Sequence, residues 1–214
     1  MTASTFWAGV GAQLRQPEGW TGRLAGHAMR LANARANALA VKALAPRPGE
    51  HIAELGCGPG QALRRILAQD VALAIGIDHS PVMLAQARSN NARDAVSGRL
   101  SLQRCDFAAL PLGDASIDAV LAVNVAYFMH DATAIAEACR VLKPGGRLVL
   151  YATSVHAMRN WRFACTHSHR LFDEEDLRTL LRTGGLSDAD IEIRQVNAGF
   201  GIQGLLALAQ WQAS

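Results

Sequence analysis

From His51 onward, short apolar runs alternate with helically spaced apolar positions. His51–Leu55 is a short run that ends in glycines. In Gln61–Gln69, Leu63, Ile66 and Leu67 fall on one face of a helix. Leu73–Ile77 is continuously apolar and predicts a buried strand. Pro81–Asn91 predicts a helix, with Ser80 as N-cap and Pro81 at the first helical position. Leu100–Arg104 alternates like a strand, and Ile117–Val123 reads as another buried one. Asp131–Val141 predicts a helix that stops before Lys143-Pro144-Gly145-Gly146, a turn signal. Arg147–Tyr151 predicts a further strand, and Asp173–Thr183 a helix ended by Gly184-Gly185. Ile191–Val196 and Leu205–Gln210 predict two last strands.

Alternating strands and helices predict an α/β fold: a doubly wound, mainly parallel sheet covered on both faces. The final two strands have no helix between them. Asn197–Gly204 is too short for a crossover, so this pair is expected as an antiparallel C-terminal hairpin. Residues 1–46 precede the core. Trp20–Ala45 is a long amphipathic helix candidate, with Gly22 and Gly26 as its weak points. The domain reading is a helical cap over 1–46 and a core over 47–214, with a lid insertion at 152–172.

At 214 residues, half of them hydrophobic and 18% charged, the chain can bury a continuous core and is not mainly disordered. No apolar run approaches the roughly 18 residues of a membrane span; the longest, Ala119–Met129, is interrupted by Asn124. Met1 to Phe6 carry no Lys or Arg and lead into no apolar block with a cleavage site, so no signal peptide is expected. Cys57, Cys105, Cys139 and Cys165 have no paired spacing. They read as reduced thiols of a cytoplasmic protein, not as disulfides or a zinc site. A net charge of +3 lacks the basic bias of a dedicated nucleic-acid binder. The basic residues do concentrate in 1–46, where Arg15, Arg23, Arg30, Arg35 and Lys42 face one acid, Glu18. That stretch reads as a cap packed on the sheet; the alternative is peripheral contact with a membrane surface.

The densest motif is Glu54-Leu55-Gly56-Cys57-Gly58-Pro59-Gly60, after a strand and before a helix. Closely spaced glycines let a backbone approach a ligand and take positive φ. In an open parallel sheet, ligands bind at the carboxyl ends of the strands. A dinucleotide fingerprint fails, because the sixth position from Gly56 is Gln61, and no Gly-Lys-Ser/Thr of a P-loop is present. Glu54 argues against a phosphate there. A nucleoside with a positive centre suits the loop better. Asp78 closes the second strand, where a carboxylate can accept both hydroxyls of a ribose. Asp106 follows the third and can accept from an adenine amino group. For any one of these acids, helix capping is the ordinary explanation; the set with the glycine loop points to a nucleoside site.

These stretches resemble the class I S-adenosylmethionine-dependent methyltransferases, in the broad group that includes ubiquinone-biosynthesis-type and other small-molecule enzymes. The matching segments are Glu54–Gly60; Gly76-Ile77-Asp78-His79-Ser80 with Met83; Cys105-Asp106-Phe107 with Leu110-Pro111; Ser116–Val120; and Arg140–Gly146. They run in the family's order from about His51 to Tyr151. The resemblance implies a Rossmann-like sheet of seven strands, with the last inserted antiparallel beside the fifth. It implies S-adenosylmethionine as cofactor, with Gly56, Gly58 and Gly60 along its methionine part and Glu54, Cys57 and His79 among the cofactor-binding residues. It further implies Asp78 at the ribose, Met83, Asp106 and Phe107 at the adenine, and Asn124 toward the methionine moiety or the methyl group.

Methyl transfer asks the protein to align a nucleophile, exclude water and, where needed, remove a proton. Tyr127 and His130 follow the fourth strand and are candidates on the acceptor side; a core aromatic and a helix cap are their plainer readings. Residues 152–172 hold His156, Arg159, Trp161, Arg162, His167, His169 and Arg170 without an acid. His156 and His167 are candidate bases. Arg159, Trp161, Arg162 and His169 are candidate substrate contacts, for an anionic acceptor; a solvated basic loop is the plainer reading. No acid or cysteine cluster completes a metal site around His167-Ser168-His169. The leading expectation is a methyltransferase for a small-molecule acceptor. The alternatives are a phospholipid N-methyltransferase at a membrane surface, or a non-catalytic S-adenosylmethionine-binding protein. A nucleic-acid partner is not expected, since the chain has no Asn/Asp-Pro-Pro-Tyr/Phe sequence and no basic stretch interleaved with aromatics.

Overall fold

The computed structural model describes residues 33–129, 131–154, 172–199 and 202–212. A helix covering 33–44 in its described part (α1) leads into β1 (His51–Leu55). Then follow α2 (Gln61–Leu67), β2 (Leu73–Ile77), α3 (Pro81–Asn90), α4 (Ala92–Val96), β3 (Leu100–Gln103) and β4 (Ile117–Val123). The chain continues through α5 (Thr133–Val141), β5 (Leu142–Thr153), α6 (Glu174–Thr183), β6 (Ile191–Asn197) and β7 (Gln203–Gln210). The seven strands form one sheet in the order β3-β2-β1-β4-β5-β7-β6. β1 to β5 run parallel. β7 is antiparallel to both β5 and β6.

The sheet is apolar on both faces, as a central parallel sheet must be. Along β4, Ala119, Leu121 and Val123 pack on one side with Ala36, Ala40 and Leu44 of α1 and Leu63 and Ile66 of α2. Val120 and Ala122 pack on the other with Ile135 and Ala138 of α5 and Leu177 and Leu181 of α6. The period-two alternation of a strand serves both cores at once.

Most predicted strands lie where the apolar runs placed them; two element starts and one short helix differ for identifiable reasons. Lys143-Pro144-Gly145-Gly146 does not separate α5 from the next strand. Leu142 already pairs with Ile117, and the ladder resumes at Arg147 opposite Ala119, so the four residues form a bulge inside β5. Trp211 closes the bulge: Gly145 N donates to its carbonyl (2.8 Å) and Trp211 N donates to Gly146 O (2.7 Å). The helix expected from Asp131 begins at Thr133, with Ala132 as its N-cap; the Asp131 carboxylate, one residue outside, accepts from Thr133 N (2.9 Å) in a local turn. The short α4 was not foreseen; none of its residues is buried, so it carries no apolar stripe. Ser80 caps α3 as expected, accepting from Met83 N (3.3 Å).

Arg147 anchors α1 at its carboxyl end. Its Nε donates to Leu44 O (2.6 Å) and one terminal nitrogen to Ala45 O (3.0 Å). The same guanidinium grips Glu50 through both carboxylate oxygens (2.8 and 2.7 Å). A cation at a helix carboxyl terminus satisfies the orphan carbonyls and matches the helix dipole. Burial pushes the Glu50 carboxyl up, but the bonds from Arg147 and from Arg47 N outweigh it and hold it below the usual range.

Candidate functional site

The chain leaves β1 toward β2 and β3 on one side and returns to β4 on the other, so the carboxyl ends of β1 and β4 part at a topological switch point. A cavity of about 380 Å³ opens there, within the roughly 300–1,000 Å³ of small-molecule sites. Its floor is the backbone of Gly56–Pro59, and Asp78 and His79 form one lip. Phe107, Val123, Asn124, Val125 and Phe128 make one wall, and Asn33 and Asn37 of α1 with Gln61 the other.

Gly56 N and Cys57 N both donate to Ile77 O (2.8 and 3.0 Å), which folds the loop back over β2. Gly56, Gly58 and Gly60 all have positive φ, but they meet different neighbours. A Cβ at Gly56 would lie 2.0 Å from Val125 Cγ1. One at Gly60 would lie 2.6 Å from Asn91 Nδ2 and 3.2 Å from Ala87 Cα, so Gly60 admits α3 against α2 and does not line the cavity. A Cβ at Gly58 would meet nothing within 4 Å, because it would project into open space. Gly58 therefore contributes bare backbone to the cavity lining.

Asp78 is buried and stitches the site together. Its Oδ2 accepts from Gly58 N (2.9 Å) and its Oδ1 from Ser80 N (2.8 Å). Each oxygen keeps a second lone pair for a ligand donor. His79 stands at the rim, its ring 88% exposed, with Nδ1 3.6 Å from Asp78 Oδ1. Glu54 is only 2% exposed, and its Oε2 has no hydrogen-bond partner. Burial pushes its carboxyl well above the ordinary range. The Leu63 N–H opposes this and the Asp78 charge adds to it. Burial, then the charges of Glu54 and Asp78, push the Cys57 thiol up, so it offers no thiolate nucleophile. Asp106 and Met83 lie outside the lining. Asp106 is exposed and accepts from Ala108 N (2.9 Å) in a local turn, while its neighbour Phe107 reaches the cavity.

Asn124 ends β4 with φ +56° and ties three elements. Its N donates to Tyr151 O (2.8 Å). Its Oδ1 accepts from Thr153 N (3.1 Å), Thr153 Oγ1 (3.2 Å) and the Tyr127 hydroxyl (3.1 Å). Its Nδ2 donates to Asn33 Oδ1 (3.1 Å), and Asn37 Nδ2 donates to Gln61 Oε1 (3.2 Å). Tyr127 thus braces the ends of β4 and β5 and does not line the cavity. Its ring packs on Phe172 at 6.3 Å, and burial keeps its phenol protonated. A single 3-10 turn, Ala126–Phe128, turns Tyr127 inward and leaves Phe128 at the cavity, 55% exposed. Phe128, Val125, Gln61, Asn33 and Asn37 are lining residues that the sequence reading did not single out. The i, i+4 spacing of Asn33 and Asn37 in an alanine-rich helix was the available signal. His130, His156, Arg159, Trp161, Arg162, His167 and His169 lie outside the described residues. Among the described residues, no group of three His, Cys, Asp or Glu side chains could hold a metal, and no helix is long and apolar enough to cross a membrane.

Residues 53–150 match the family model described as a methyltransferase domain. An O-methyltransferase from Penicillium expansum, cnsE, is 33% identical over 159 residues, which cover 71% of this chain and 58% of that protein. The 27-O-demethylrifamycin SV methyltransferase of Amycolatopsis mediterranei (strain S699) is 37% identical over 106 residues, 49% of this chain and 39% of that one. The chain spans about half the length of the curated relatives it matches. Among solved structures, a chain in the complex of the Haloferax volcanii Trm112 methyltransferase activator superposes with a TM-score of 0.71 at 24% identity. That match covers 95% of this chain and 97% of that one. An S-adenosylmethionine-dependent methyltransferase from Mesorhizobium loti gives 0.64 at 20% identity, covering 82% and 97%. The domain match over residues 53–150, with the sheet order and the glycine loop, identifies the core of this chain as a methyltransferase domain of the class I S-adenosylmethionine-dependent type.

Proposed function

We propose that the protein transfers a methyl group from S-adenosylmethionine to a small-molecule acceptor. The observation that carries this reading is the switch-point cavity floored by the bare Gly58 backbone and edged by Asp78. These residues fit the cofactor: Gly58 leaves open space where a side chain would stand, and Asp78 retains acceptor capacity for ribose hydroxyls. When bound, the cofactor supplies a sulfonium-activated methyl group. The chain's own part is to orient and to dry the site. Asp78 fixes the glycine loop and holds the nucleoside. Asn124, braced by Thr153 and Tyr127, sets the β4 end of the wall, and Phe128 offers the acceptor an apolar surface. Tyr127 acts as a positioning residue, since its hydroxyl is engaged by the strand ends.

The relatives named as O-methyltransferases support an oxygen acceptor; relatives named as C-methyltransferases make carbon the competing outcome. We assign α1 and residues 152–172 to the acceptor side. Asn33 and Asn37 in the lining support the first, and the acid-free cluster of Arg159, Trp161, Arg162 and His169 the second, with His130, His156 and His167 as candidate bases. The decisive experiment incubates the protein with a metabolite mixture and cofactor carrying a ¹³C-methyl group. A labelled methoxy product is expected. A labelled C-methyl product would move the acceptor to carbon, and no labelled product from any extract would reject the enzyme reading. Charge removal at Arg159 and Arg162 should then raise KM for an anionic acceptor and leave cofactor affinity unchanged.

A further inference from the structure

Glu54 combines three properties that do not ordinarily coexist in a carboxylate. It is almost fully buried, it lines the cavity, and its Oε2 is left without a partner. The groups that face it do nothing to hold a negative charge beyond one backbone donor. Asp78 faces it from the end of β2, the Cys57 thiol from the glycine loop, and the Leu63 N–H from α2. Among the described residues, no Lys, Arg or His forms an ion pair with it; His79, which shares the cavity, pairs with Asp78. An ionised carboxylate in such a place carries a large desolvation penalty, which protonation removes. A cation entering the cavity removes the same penalty in another way, by pairing.

Resting on the S-adenosylmethionine reading, we propose that Glu54 is a proton-releasing acceptor: neutral in the empty cavity, it ionises to pair with a cationic group of the entering ligand. The Glu54 O–H bond breaks, its proton passes to solvent, and the carboxylate left behind pairs with the ligand's ammonium or sulfonium. Ligand binding is thereby coupled to pH. The bound state holds one proton fewer, so the dissociation constant should fall about tenfold per pH unit while the empty site is protonated and the bound one is not.

The test is titration calorimetry of the full chain at neutral pH in two buffers of very different ionisation enthalpy. S-adenosylmethionine should release about one proton per molecule bound, and 5′-methylthioadenosine, which keeps the nucleoside but neither cation, none. S-adenosylhomocysteine, with an ammonium and no sulfonium, separates the two sources: release identifies the ammonium and its absence the sulfonium. In Glu54→Gln, S-adenosylmethionine should still give measurable heat but no buffer dependence. Identical enthalpies in both buffers for the unmodified protein overturn the proposal, as does a release that persists in Glu54→Gln, which would place the proton on the ligand. A complete absence of S-adenosylmethionine binding overturns the cofactor reading itself, and is distinguishable from binding without proton release.

Discussion

At Gly56 and Gly58 one substitution probes two demands. Gly56→Ala forces a Cβ into Val125 at positive φ and should destabilise the fold by about 2–4 kcal/mol, from overpacking and left-handed strain together. Gly58→Ala pays only the strain, about 1–2 kcal/mol, because nothing lies within 4 Å of its Cβ. It should nonetheless weaken S-adenosylmethionine binding at least tenfold, since Gly58 lines the cavity proposed to hold the cofactor. Denaturant melts paired with ligand titrations separate the two; equal affinity of Gly58→Ala and the unmodified protein would remove the loop from the ligand. Asp78→Ala should cost affinity at least tenfold, at roughly 1.5–3 kcal/mol per charge-assisted bond, and also loosen Gly58, whose N–H it accepts. Glu54 predicts a stability change with pH. Well below pH 4.5, its carboxyl is protonated both folded and unfolded. As pH rises, the unfolded chain ionises while the folded site resists, because burial raises the folded value. The melting-temperature advantage of Glu54→Gln should therefore be small at pH 4 and grow toward neutrality; a constant difference would mean an ionised Glu54 in the fold. Glu54, Gly58 and Asp78 could be picked out in the sequence because each sits at or just past the end of an apolar run. What Gly60 and Tyr127 do could not. Gly60 answers to Asn91, 31 residues on, and Tyr127 is turned inward by a 3-10 turn that has no hydrophobic period.

Among the elements, the strands were the most legible, because a continuous apolar run such as Ile117–Val123 has few alternatives to burial on both faces. α4 and the β5 bulge were hidden for opposite reasons. Ala92–Val96 buries none of its residues, so no stripe marks it. Lys143–Gly146 has all the marks of a turn, yet its geometry is decided by Trp211, far along the chain. α1 depends most visibly on a single side chain. Arg147→Met should release the carbonyls of Leu44 and Ala45 and unpair Glu50, at a cost of about 2 kcal/mol or more. Hydrogen exchange should rise along the last turns of α1. Glu50 is held below its ordinary range, so its contribution is full above pH 4.5 and lost as pH falls through its folded value. The stability gap between Arg147→Met and the unmodified protein should accordingly narrow in acid. A gap that is unchanged between pH 3 and pH 7 would show that the guanidinium works through the helix carbonyls alone.

For the whole molecule, the sheet sets the order in which protection from exchange should fall. β1, β4 and β5 are paired on both sides and lie between two cores, so their amides should exchange last; β3 and β6 are edges and should exchange first. S-adenosylhomocysteine at a hundredfold excess over its dissociation constant should add about 2.7 kcal/mol. For a chain of this size that is roughly 5–11 °C in melting temperature, with no shift from NAD. The parallel half of the sheet was readable because strand and helix signals alternate along it, and the antiparallel end because Asn197–Gly204 is too short to cross over. The placement of β7 between β5 and β6 was implied by family resemblance and is not contained in any local pattern. The way α1 is moored has an outcome of its own. Arg147 grips Leu44 and Ala45 only by their main-chain oxygens, which every sequence possesses. The residues upstream that face the cavity, Asn33 and Asn37, are thus free to be rewritten without casting the helix adrift. Replacing only these two, with the buried Ala36, Ala40 and Leu44 retained against β4 and α2, should keep the scaffold intact while changing the chemistry presented to whatever enters, which makes this face of the helix the natural place to alter acceptor choice.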